Sequence, residues 1–121
     1  MRVALGQFAV SRVWEENLAT TLKLMRDAAA GGADLLVLPE GILARDITDP
    51  DLVLKAAQPL DGPFMTAVLA ESAKSALTVQ MCIHVPNGKG RAFNELVTIA
   101  KGKLVAKYTK LHLYDAFSAK E

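Results

Sequence analysis

Apolar residues recur along this chain with two periods, which divide it into strands and helices. Leu35, Leu36, Val37 and Leu38 form one uninterrupted run between Asp34 and Pro39-Glu40-Gly41. A run with no polar face predicts a strand buried on both sides, the kind found in parallel sheets covered by helices. Pro39 has no N–H to give to a ladder and ends that strand. Glu40 is therefore expected just beyond the carboxyl end of a central strand, at the rim where open α/β sheets bind ligands. Upstream, Val3 to Val10 is apolar with Gln7 as its main polar interruption and predicts a first buried strand. Leu18, Leu22, Met25 and Ala29 then fall on one helical face. Ser11 is expected to cap that helix, with Glu15 and Glu16 in its first turn and Gly31-Gly32 at its end.

Further along, residues 42–50 read as a loop and Asp51 to Ala57 as a short helix. Pro63 suits the first turn of another helix, with the apolar stripe Phe64, Val68, Leu69 and Ala73 and an end near Ala76. Thr78 to Val85, Phe93 to Ala100 and Lys103 to Thr109 predict three strands, joined by turns at Asn87-Gly88-Lys89-Gly90 and Lys101-Gly102. Strands connected through helices run parallel, and strands connected by tight turns run antiparallel. The fifth strand then points the same way as the second. Topology alone brings Glu40, after strand two, and Lys110, after strand five, to one edge of a mixed sheet although they lie 70 positions apart.

Composition narrows the function more than the fold. The 121 residues are 51% hydrophobic and 22% charged, which fits one soluble domain. A net charge of +1 gives no reason to expect nucleic acid or an anionic membrane as partner. Lys101, Lys103, Lys107 and Lys110 alternate with apolar residues, as the wet face of a strand would. No apolar run approaches the roughly 20 residues of a membrane span, and the first residues open directly on a strand pattern without a secretory signal's apolar core. The single cysteine, Cys82, excludes an internal disulfide and suits a reducing cytoplasm. No G-x-G-x-x-G follows the first strand and no P-loop is present, so nucleotide binding lacks its phosphate cradle.

Glu40 reads either as a solvated strand-end carboxylate or as a general base at a pocket rim. Lys110 reads as one more surface lysine or as a cation aimed at a developing oxyanion. Cys82 and His84, two apart on the third strand, face the same side about 7 Å apart, which raises a Cys–His nucleophile. Cys82 lies between Met81 and Ile83 in mid-strand, where packing is the expected role. Cys82, His84 and His112 show no familiar metal-ligand spacing, so no metal is expected. Asn94, at the opening of a strand, is expected to serve as a turn-terminating hydrogen bonder.

Taken in order, several motifs form a set: Ala4 to Phe8 with Gln7, Asn17-Leu18, and Gly32-Ala33-Asp34-Leu35-Leu36-Val37-Leu38-Pro39-Glu40. Phe93-Asn94-Glu95 follows, then Gly102-Lys103-Leu104 and Tyr108-Thr109-Lys110-Leu111-His112-Leu113. The set resembles the N-terminal part of the nitrilase superfamily, the carbon–nitrogen hydrolases, from residue 3 to about 115. Lys110 to Asp115 with Phe117 and Glu121 looks most like the branch of ω-amidases and deaminated-glutathione amidases.

The resemblance implies part of an α-β-β-α sandwich, an α/β fold whose mixed sheet carries helices on one face. It implies a Glu–Lys–Cys triad hydrolysing a small amide through a thioester, without metal or organic cofactor, in a homodimer or larger homo-oligomer. Glu40 matches the general base, Lys110 the oxyanion-stabilising lysine, and Glu121 a second, supporting glutamate. The family's nucleophilic cysteine lies downstream of the lysine, in a strand-to-helix elbow, and does not occur within residues 1–121. Cys82 precedes Lys110 and does not match it. Residues 1–121 are therefore expected to be a single, incomplete hydrolase domain, inactive alone. The other reading is a non-catalytic remnant, a binding or assembly module of the same fold.

Overall fold

The computed structural model describes residues 1–113. The elements are β1 (Val3–Leu5), α1 (Trp14–Ala30), β2 (Leu35–Val37), α2 (Leu52–Ala56), α3 (Pro63–Ser72), β3 (Thr78–Pro86), β4 (Ala92–Ala100) and β5 (Lys103–Thr109). They build a five-stranded sheet in the order β1-β2-β3-β4-β5. β1, β2 and β3 run parallel, and β4 and β5 continue antiparallel, as the connections predict.

The core lies on one face of this sheet. Leu36, Val79, Met81, Ile83, Val97 and Ile99 point to that face and are all but inaccessible to solvent. Met25 of α1 and Phe64, Met65 and Val68 of α3 close over them. Each such side chain contributes about 1.5–3 kcal/mol by leaving water. β2 is accordingly not buried on both sides. Leu36 and Leu38 enter the core, whereas Leu35 and Val37 face the other way and stay partly exposed. On that second face Leu5 is 79% and Tyr108 55% exposed, and nothing among the described residues covers them.

Three boundaries differ from the sequence expectation for physical reasons. β1 stops at Leu5 instead of running to Val10, because β2 beyond Val37 offers it no further ladder. The last rung is Gly6 N–H to Val37 O at 2.8 Å, and Phe8 and Val10 pack against the core without pairing. Ser11 does not cap α1, whose N-cap is Val13. The backbone of Ser11 is held instead by the buried Asn17 side chain, whose Oδ1 accepts the Ser11 N–H and whose Nδ2 donates to Ser11 O, both at 2.9 Å. α3 ends at Ser72, short of Ala76, and Ser72 Oγ accepts the Gly102 N–H at 3.2 Å.

β5 is also unlike its sequence pattern. Its lysines do not form one wet face opposite a dry one, because Lys103 to Tyr108 are exposed throughout. As the edge strand, β5 lies largely beyond the cover of α1 and α3. No helix of the described residues is long and apolar enough to cross a membrane.

Two substitutions test this packing. A Cβ at position 6 would stand 2.7 Å from Leu38 Cδ2, and Leu38 is itself core. Gly6→Ala is expected to destabilise by about 1–3 kcal/mol through overpacking. Phe64→Ala, at a side chain with no exposure, is expected to cost about 3–5 kcal/mol. Urea unfolding should show both as a lower midpoint with an unchanged slope.

Candidate active site

Glu40 owes its position to an interruption of the β2–β3 ladder. Leu38 N–H bonds to Gln80 O at 3.0 Å, and the next rung is Ile42 N–H to Cys82 O at 3.3 Å. Between these rungs β3 advances two residues and its neighbour advances four. Pro39, Glu40 and Gly41 therefore bow out of the sheet as a bulge, a device that re-aims a side chain. Gly41 has φ 68°, a conformation that glycine adopts without steric cost. Ile42, Leu43 and Ala44 then return to the core, so the loop expected from residue 42 becomes a surface loop only after Ala44. Asn17 Nδ2 donates to Leu43 O at 2.9 Å and Arg45 N–H to Ser11 O at 3.0 Å, which fixes the far side of the bulge. Beyond it, Asp46 accepts from the backbone and hydroxyl of Thr48, and those bonds hold its carboxyl below the usual carboxylate range.

Lys110 arrives from the far edge of the sheet, at the end of β5, which runs the same way as β2. Its N–H donates to Asn94 O at 2.9 Å, just past the Glu95–Thr109 pair of the β4–β5 ladder. Its Nζ stands 3.1 Å from Glu40 Oε1, the convergence that the strand directions predict. A second donor meets the same oxygen: Asn94 Nδ2 lies 2.5 Å from Glu40 Oε1. Glu40 Oε2 accepts no hydrogen bond from the described residues. The Glu40 side chain is 53% and that of Lys110 30% exposed. An ion pair so open to water adds little to stability, so the fold gains little by holding it.

Asn94 corrects its sequence reading. It does not terminate a turn; it is buried in β4 with its amide on the Glu40 carboxylate. It pairs in register with His84, and Cys82 pairs with Leu96, which puts Cys82, His84 and Asn94 on one face of the sheet. His84 is buried and Cys82 partly so. Burial pushes the Cys82 thiol up, the charge of Glu40 pushes it further, and Lys110 draws it down. Cys82 thus lies within the electrostatic reach of the pair, in its protonated form at neutral pH.

Other predicted residues fall elsewhere. His112 is exposed on the segment after β5. Among the described residues no group of three or more His, Cys, Asp or Glu side chains could hold a metal ion. Glu121 lies outside the described residues. Glu95, to which the motif Phe93-Asn94-Glu95 assigns no role of its own, is buried with both carboxylate oxygens 3.0 Å from Thr109 Oγ1. The signal available was the pair Asn94-Glu95 inside an apolar strand, which must turn a polar side chain to each face.

Comparison with known proteins supplies the family. The model of the carbon–nitrogen hydrolase family matches residues 2–121. The chain is 50% identical to a deaminated glutathione amidase of Escherichia coli O157:H7, over all of this chain and 46% of that protein. It is 31% identical to an omega-amidase of Mus musculus, over 94% of this chain and 41% of that protein. Among solved structures, a CN-hydrolase superfamily protein of Xanthomonas campestris superposes with TM-score 0.81 at 22% identity, covering 98% of this chain and 43% of the other. An amidase mutant from Nesterenkonia also gives TM-score 0.81, at 19% identity, over 99% and 47% of the two chains. The chain thus spans less than half the length of these relatives. A family match over nearly every residue, on a sheet of the same fold, means that this chain belongs to the carbon–nitrogen hydrolases of the nitrilase superfamily.

Proposed function

We propose that residues 1–121 are the base-and-cation half of an amidase that releases ammonia from a small non-peptide amide. The observation that carries this reading is the 3.1 Å contact between Lys110 Nζ and Glu40 Oε1 at the carboxyl rim of the sheet. Glu40 takes the proton from a cysteine thiol supplied by further polypeptide, and the thiolate adds to the amide carbon. The oxyanion so formed faces the Lys110 ammonium, which lowers the barrier by favouring charge that exists only in the transition state. The proton on Glu40 passes to the departing nitrogen, ammonia leaves, and water hydrolyses the thioester with Glu40 again as base. No step uses a metal or organic cofactor. Deaminated glutathione and ω-amides of keto acids are the substrate classes favoured by the resemblance to the E. coli and mouse enzymes. Glu121 would support the base, and the assembled enzyme would be a homo-oligomer in the cytoplasm.

Cys82 is not the nucleophile on this reading. A thiol raised by burial and by Glu40 is a poor nucleophile at neutral pH. The other reading is a non-catalytic module of the same fold.

Four measurements decide among these. The 121-residue chain should release no ammonia from deaminated glutathione or ω-amide keto acids, and robust turnover would overturn the proposal. The reading frame past Glu121 should run on into a strand ending in a cysteine elbow; an immediate stop would favour the non-catalytic module. In the polypeptide that carries that cysteine, E40Q should lower kcat by about 10²–10⁴-fold, and K110M by about 10²–10³-fold. Alkylation of Cys82 should be slow at pH 7–8. The sign follows from the charges: E40Q should speed it, and K110M should slow it.

A further inference from the structure

Glu40 projects on a bulge and is half exposed, and its ion-pair partner is a long, flexible lysine. Neither property would hold a carboxylate in one orientation. The rigid member of the cluster is Asn94, which is 2% exposed and paired within the longest ladder of the sheet, opposite His84 and two rungs from the ladder's end. Asn94 touches both halves of the ion pair by different groups. Its side-chain amide donates to Glu40 Oε1 and its carbonyl accepts the Lys110 N–H. The amide and the ammonium share one carboxylate oxygen, and Oε2 takes no hydrogen bond from the described residues.

We propose that Asn94 is the positioning residue of the site, pinning Glu40 through Oε1 so that Oε2 is the oxygen presented to the proton it accepts. The proposal deepens the amidase reading and rests on it for the proton. The pinning itself is a property of this chain. The chemistry requires an amide here. Aspartate would place a second negative charge against Glu40, serine would fall short of it, and leucine would match the volume but offer no N–H. The single residue also couples the two catalytic candidates: a shift of β4 moves the anchor of Glu40 and the backbone of Lys110 together.

Cys82 offers a reporter that needs no turnover: it shares the sheet face of Asn94, and the charge of Glu40 adds to burial in raising its thiol. The rate of Cys82 alkylation by iodoacetamide at pH 8 is measured in the 121-residue chain and in N94A, E40Q and the N94A/E40Q double variant. Without its anchor, the Glu40 carboxylate turns to solvent and its effect on the thiol is screened. N94A should therefore raise the rate by at least about twofold, as E40Q should. The double variant should be no faster than E40Q alone. A rate unchanged in N94A, or a further rise of similar size on the E40Q background, would overturn the proposal, because general loosening of the sheet acts whether or not Glu40 is charged.

N94L repeats the cycle with the volume kept, should N94A fold poorly. A second measurement leaves Asn94 in place: in E40A, the Asn94 side-chain NH₂ resonance bonded to Glu40 should move upfield in a ¹⁵N-correlated NMR spectrum. A resonance that stays put would equally overturn the proposal. Neither readout involves ammonia release. Failure of the amidase reading therefore shows as unaltered turnover in E40Q of the longer polypeptide, whatever the alkylation cycle reports.

Discussion

The site depends on one broken ladder. Pro39 removes a donor, Gly41 supplies a left-handed turn, and the N–H that resumes pairing with Cys82 O belongs to Ile42. In an unbroken parallel ladder the N–H facing Cys82 O would be that of Glu40. The carboxylate would then belong to a strand residue, with its direction set by the pleat. The bulge frees Glu40 from the pleat without loosening the chain around it. Leu38 on one side and Ile42 to Ala44 on the other are core, and the Asn17 amide ties Leu43 to the start of α1. A half-exposed carboxylate is thus mounted between two buried segments. This arrangement suits a group that must be held within a fraction of an ångström and still exchange protons.

Much of this was legible in the sequence, and the reason is topological. Direction of travel is a discrete property: helical connections and tight turns permit one pattern of parallel and antiparallel strands. That pattern is enough to bring Glu40 and Lys110 to one rim. The apolar run Leu35 to Leu38 marked the central strand, and Pro39 marked its end. Pairing partners are not discrete in this way. Ser11 has the chemistry of an N-cap, but the Asn17 side chain holds its backbone and the helix begins later, at Trp14. Asn94 is of a type common in turns and is nevertheless paired within a ladder. Whether an amide ends a turn or binds a carboxylate 54 positions away depends on register between distant strands, which hydropathy period does not encode. The polar residues Asp46, Thr48 and Asp49 with Pro50 mark residues 42–50 as a loop, and they say nothing of Ile42 to Ala44 at its start. Their return to the core became apparent only from the ladder they rejoin.

Stability and chemistry are divided between the faces of the sheet. The helix side, built on Phe64, Met81, Ile83 and Val97, is dry and complete by itself. Cys82, His84 and Asn94 belong to the other side, together with Leu5, Val37, Leu96 and Tyr108. The division explains how the second strand can be half wrong as a prediction yet right about the rim. Leu36 and Leu38 fix where β2 lies, and the partly exposed Leu35 and Val37 report only that no second layer stands among the described residues.

That difference between faces sets the strength of the Glu40–Lys110 interaction. Two unit charges about 4 Å apart attract by about 1 kcal/mol in bulk water and about 4 kcal/mol at the effective dielectric of a partly covered site. With side chains 53% and 30% exposed, the pair in this chain is close to the first limit. The relatives are more than twice as long as the portion matched here. Polypeptide laid over the outer face would exclude water from the rim and move the pair toward the second limit without displacing any atom of it. The same covering would raise the cost of an unanchored carboxylate. The buried amide of Asn94 already holds Glu40 in this chain, and its energetic weight would grow as the rim is covered. The geometry of the site is already set by β2, β4 and β5, and the dielectric that gives the geometry its force depends on what lies across the sheet.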